Sequence, residues 1–123
     1  MKTAAKCAML SIAFSFPMSL VLALFYRFPI PMGGYIGPAS DIGIDYSNVL
    51  DILKMVSIAW VFYGIMGGFI VLAIGGAAAS KLTFHKPITT EHSQVKHLVV
   101  RAVCVSFLGC GALAILDYII GPW

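Results

Sequence analysis

Five carboxylates, eight lysines and arginines, three histidines and three cysteines carry most of the reactive side-chain chemistry in this 123-residue chain. Proton relay or transport chemistry in lipid needs an ionisable group deep inside an apolar span. The candidates nearest to that description are Asp117 and Arg101, each within a turn or two of the end of an apolar stretch. Simple hydration at a membrane surface is the expectation for Asp117, and pairing with a partner's Arg or Lys is the alternative. His85, His92 and His97 gather in or beside one loop. His92 and His97 are five apart, whereas two ligands on one helix face need three or four, and Glu91 is the only carboxylate nearby. No metal site is expected. The histidines read as a cationic rim, and their functional alternative is contact with haem, a chlorophyll-type pigment or a quinone at the membrane edge.

Other catalytic signatures are absent from the sequence. Cys7, Cys104 and Cys110 form no Cys-x-x-Cys pair and read as small buried hydrophobes. Gly33-Gly34 and Gly67-Gly68 lack the strand–turn–helix setting of a phosphate-binding loop. No catalytic residue is assigned and no enzyme activity is expected. Basic residues are too few and too close to apolar stretches for nucleic-acid binding, and no soluble substrate is expected.

The elements around these residues follow from composition. The chain is 60% hydrophobic and 11% charged, with a mean hydropathy of +0.96; an ordinary soluble domain is roughly half apolar and about one quarter charged. A body this small cannot hide that much apolar surface from water. The expected fold class is an all-α integral membrane protein, a single domain over residues 1–123 with three transmembrane helices and short loops. A bilayer core about 30 Å thick needs roughly 20 helical residues, and spans are expected at about 7–26, 55–79 and 98–120. The outer loop is then 27–54 and the inner loop 80–97. The first span is read as retained, because its apolar run exceeds that of a signal peptide and no small-x-small cleavage site follows it.

Charge sets the expected orientation. Lys2 and Lys6 precede the first span, and Lys81, Lys86, Lys96 and Arg101 surround the second loop. Asp41, Asp45 and Asp51 lie in the first loop, flanked by Arg27 and Lys54. The positive-inside rule places the N-terminus and second loop in the cytoplasm and the C-terminus outside. Tyr26, Tyr35, Tyr46, Trp60, Tyr63, Tyr118 and Trp123 all fall toward the outer side in this reading. The outer loop is rich in Pro and Gly, and Phe28, Ile30, Met32, Tyr35 and Ile36, poor company for water, make it an ordered, partly membrane-hugging segment. Ser47 is a candidate helix cap, Pro87 a stop and Thr90 a second cap.

Each span carries a row of small residues at four-residue spacing, which places them on one helix face. The rows are Cys7, Ser11, Ser15, Ser19 and Ala23 in the first, and Gly64, Gly68, Gly76 and Ser80 in the second. A parallel row of Gly67, Gly75 and Ala79 widens the second groove, and Ala102, Ser106, Cys110 and Ala114 make the third. Such grooves let backbones approach closely, either within the chain or against a partner. Pro17 removes a backbone donor mid-span and should kink the first helix.

In size and span number the chain is similar to the small three-helix anchor subunits of quinone-linked oxidoreductases, a likeness of architecture only. The histidines that haem-binding anchors carry within their spans are missing here. The leading functional expectation is a non-catalytic accessory subunit of a larger membrane complex, respiratory or photosynthetic, contacting other transmembrane subunits and lipids. A homo-oligomeric channel or transporter lined by Ser11, Ser15 and Ser19 is the alternative, and a quinone-, haem- or pigment-binding anchor the second. No cofactor is required by the sequence, bound lipid is expected, and the expected location is a bacterial inner membrane.

Overall fold

The computed structural model describes residues 2–32, 34–38, 49–82 and 91–120, without the side chains of residues 2 and 91–93. Helix α1 is Lys2–Phe25. Strands β1 (Phe28–Ile30) and β2 (Gly34–Ile36) form a short hairpin. Helix α2 (Val49–Tyr63) passes through a π-helical segment, Gly64–Gly68, into α3 (Phe69–Lys81). Helix α4 is Glu91–Ile120. The fold is mostly helical, and Thr3–Phe25, Val49–Lys81 and Gln94–Ile120 are each long and apolar enough to cross a membrane. The expected caps and stop at Ser47, Pro87 and Thr90 lie outside the described residues, as do Asp41, Asp45, Tyr46, His85, Lys86 and Trp123.

Helix α1 packs chiefly along α3 and α4. Its small row is the reason: Cys7, Ser11, Ser15, Ser19 and Ala23 are all buried. Across from it, Ala102, Ser106, Cys110 and Ala114 of α4 are buried in the same way. On α3, Gly76 is the point of closest approach. A Cβ there would stand 2.9 Å from both the Ala8 Cα and the Cys7 carbonyl oxygen, so only glycine permits the contact. Gly75, one residue away, faces Val105 of α4, with 3.1 Å between its ideal Cβ and the valine methyl. Pro17 lies inside the continuous helix α1, and the helical ladder widens at Gly64–Gly68 of the second segment.

That change has a local cause. Gly67 adopts φ 117°, a backbone conformation that an L side chain resists. The Phe69 amide donates to the Gly64 carbonyl, a one-residue-wider turn than an α-helix makes. The wider turn folds the Phe69 ring over Gly64, where any Cβ would collide with it.

The segment after α1, expected as an ordered and partly membrane-hugging loop, is ordered as a hairpin. Phe28 pairs with Ile36, Pro29 with Tyr35 and Ile30 with Gly34, and the hairpin folds back onto the helices. Phe28 and Ile36 are buried, in one cluster with Leu22, Ala23, Ile52, Val56 and Ala59. Burying those side chains removes them from any surface, and Met32 at the tip, with φ 61°, is the apolar residue left out, 94% exposed. Gly37 returns the strand so close to the end of α1 that a Cβ would strike the Tyr26 carbonyl. The hairpin therefore closes one end of the bundle.

Candidate functional site

Among the described residues, the interior holds a seam of hydroxyls, a buried ion pair and an apolar cavity. The seam runs between α1 and α4. Ser11 donates to the Cys7 carbonyl at 2.9 Å, Ser15 to that of Ile12 at 2.6 Å and Ser19 to that of Phe16 at 2.7 Å. These are local side-chain-to-backbone bonds within one helix. The Ser106 hydroxyl lies 2.6 Å from the Ser11 carbonyl oxygen and 2.8 Å from that of Ala102, so its single hydrogen ties α4 to α1 or to itself. The Cys110 thiol donates to the Ser15 carbonyl at 3.5 Å. From α2, the Trp60 indole N–H donates to the Ser15 hydroxyl at 2.8 Å. Ser15 thus ties α1 to both α2 and α4. A water path along Ser11, Ser15 and Ser19 would have to displace Gly76, Ser106 and Trp60 from these contacts.

The second feature is an ion pair beneath the hairpin. Arg27 donates through Nη2 to Asp117 Oδ2 at 2.6 Å, across 90 residues of sequence. The Asp117 side chain is 1% exposed and that of Arg27 16%. This overturns the expectation that Asp117 is hydrated or engages another protein: its partner is the chain's own arginine, and burial removes it from water. The guanidinium carbon lies 3.9 Å from the centre of the Tyr35 ring and 5.4 Å from that of Tyr118, the stacking a flat, weakly hydrated cation favours. Among the described residues, three polar atoms in this region are buried without a hydrogen-bond partner: Arg27 Nε, Asp117 Oδ1 and the Tyr63 hydroxyl. Sequence did contain a hint of the pair, since Arg27 and Asp117 flank spans on the same side; nothing local indicated that they touch.

The cavity lies between the π-helical segment and α4 and measures about 420 Å³. Trp60, Tyr63 and Phe69 form its aromatic wall, with Gly109, Leu113 and Leu116 opposite. Trp60 and Phe69 meet edge to face with centroids 4.9 Å apart, and Phe16 caps Trp60 from α1 at 5.5 Å. Trp60 is among the aromatic residues that the sequence places toward the outer side. Its bond to Ser15, ten residues before Phe25, sets it about 15 Å below the hairpin end of α1.

The residues singled out from sequence separate into groups. Ser11, Ser15, Ser19, Ser106, Cys110, Gly75 and Gly76 meet in the helix seams. Gly64, Gly67 and Gly68 belong to the π-helical break; an ideal Cβ on Gly68 would lie 2.7 Å from the Tyr63 carbonyl oxygen of the same segment. His97 is exposed on α4, His92 lies in the first turn of that helix, and His85 is outside the described residues. Among the described residues no three His, Cys, Asp or Glu side chains are placed to hold a metal ion. Arg101 donates to the Ser80 carbonyl at 3.2 Å, tying the last turn of α3 to α4. No protein-family model, curated protein or solved structure matches this chain.

Proposed function

We propose that the chain is a multi-pass integral membrane protein acting as a non-catalytic, structural subunit of a larger membrane assembly. In this reading the N-terminus and the 80–97 loop are cytoplasmic, the hairpin and the C-terminus face outward, and the membrane is a bacterial inner membrane. The reading is carried by where the interior polar groups are used. Ser11, Ser15, Ser19, Ser106, Cys110 and Trp60 are bonded within the bundle, and Arg27 and Asp117 neutralise each other under the hairpin. The polar chemistry thus holds three helices and a hairpin together, while large apolar side chains such as Ile58, Phe62, Ile65, Ile70 and Ile74 stand exposed along α2 and α3. Lipid tails give no hydrophobic reason for helices to associate, so fit and hydrogen bonds must supply the cohesion.

The test is extraction from the native membrane in mild detergent, followed by native electrophoresis and mass spectrometry. Recovery of the chain inside a defined multi-subunit particle is the expected result; migration alone or as a small homo-oligomer would sink the subunit reading. Orientation has its own readout. In a cysteine-free background, Met32→Cys should react with an impermeant maleimide added to intact cells stripped of any outer layer, and labelling only after lysis would reverse the topology.

A further inference from the structure

We propose that the cavity at the π-helical break is a binding site for one acyl chain of a membrane lipid. This rests on the membrane reading above but not on the subunit reading.

The shape of the cavity is the first reason. On α4 its wall includes Gly109, Ala112, Leu113 and Leu116, positions that share one helix face and extend about 10 Å along the axis. The wall on α4 therefore runs along the helix axis, the direction a lipid chain takes in a bilayer. Met66 is 72% and Leu116 48% exposed at the rim, so hydrocarbon in the surrounding bilayer has direct access. An apolar cavity left empty forfeits the dispersion contacts of every atom lining it, and apolar cavities of this kind take up apolar guests rather than water.

The chemistry of the wall decides what the guest is. Three of the four polar side chains among these lining residues are engaged: Trp60 donates to Ser15, Ser15 to Ile12 and Cys110 to the Ser15 carbonyl. The Tyr63 ring lines the cavity, but its hydroxyl is buried away from open space. A quinone, an ester or a phosphate entering here would leave its oxygens without donors, which is unfavourable in a low-dielectric site; a hydrocarbon chain would lose nothing. At the hairpin end Arg27 is already neutralised by Asp117, so that pair offers no net charge to a headgroup and the cavity itself selects for the chain.

Trp60 lies in the wall, and the chain has two tryptophans, so Trp123→Phe makes Trp60 a private reporter. This variant is reconstituted in phosphatidylcholine vesicles containing increasing fractions of a lipid brominated at mid-chain. Trp60 fluorescence should be quenched, and Ala112→Phe or Leu116→Phe, which fill the cavity from its exposed rim, should reduce that quenching at least threefold. Circular dichroism and gel filtration confirm that each variant is folded, and carbonate extraction independently tests membrane residence. Brominated phosphatidylglycerol should quench as phosphatidylcholine does. Equal quenching in both filled variants would overturn the site. Displacement of the brominated chain by a short-tailed quinone, or a strong preference for the anionic lipid, would overturn the acyl-chain assignment.

Discussion

Gly76 and Gly67 lie in the same apolar run and do opposite things. At Gly76 the backbone of α1 arrives so closely that a Cβ would stand 2.9 Å from the Cys7 carbonyl oxygen. Around Gly67 there is nothing within 4 Å of the position a Cβ would take, and the residue is set apart by φ 117° instead. One glycine closes a seam; the other bends a helix beside a cavity. A small residue in a membrane-type helix is therefore not in itself a sign of close packing, and a four-residue repeat that includes Gly64, Gly68 and Gly76 mixes both roles.

The largest effect should come from the Arg27–Asp117 pair held at the closed end. Asp117→Ala leaves Arg27 with its guanidinium beneath the hairpin and no counter-charge, and should destabilise the fold by about 3 kcal/mol. Removing both charges with Arg27→Met and Asp117→Leu should recover most of that loss. Denaturation in mixed micelles measures both, and a double variant no better than the single one would show that the ion pair is not the source of the effect.

Gly76→Leu tests the seam. Its side chain would meet Ala8 and Cys7 backbone, which cannot swing aside, so a loss of about 2–3 kcal/mol is expected. Gly111→Leu on α4, where the ideal Cβ has no neighbour within 4 Å, should cost nothing and stabilise by up to about 1 kcal/mol, since it replaces a helical glycine. Similar losses at the two sites would dissolve the distinction between seam and open surface.

Alanine at Gly67 and at Gly111 sharpens the comparison further, because neither meets a neighbour. Gly67→Ala should destabilise by about 1–2 kcal/mol through backbone strain alone. Gly111→Ala, at an ordinary helical position, should stabilise by up to about 1 kcal/mol. Effects of the same sign would mean that the break at 64–68 relaxes when Gly67 is replaced. The smallest effect belongs to Ser106→Ala, which removes the hydroxyl bond across α1 and α4 and should cost about 0.6 kcal/mol, an average for such bonds between membrane helices. A loss above about 2 kcal/mol there would make the hydroxyl, rather than the fit of small residues, the main tie of that seam.

Much of the α1–α4 seam was readable from spacing. Cys7, Ser11, Ser15 and Ser19 are four apart, as are Ala102, Ser106, Cys110 and Ala114, and a helix places such residues on one face whatever surrounds it. The partner of each row was not readable, because helical periodicity defines a face and carries no information about what meets it. The cavity was hidden for the same reason: Trp60, Phe69 and Leu113 look like ordinary apolar residues until the break at Gly67 sets their relative positions.

Local chemistry determined that the chain would be mostly helical, with three segments long and apolar enough to cross a membrane. That outcome depends on hydropathy and on backbone hydrogen bonds satisfied within each helix, both properties of contiguous sequence. Tertiary structure decided the rest. It drew Phe28 and Ile36 into the core as a hairpin and brought Arg27 to Asp117 across 90 residues. It also turned a row of glycines into one seam and one break. Those choices depend on which surfaces meet, and neighbouring residues along the chain do not encode that separately from the fold.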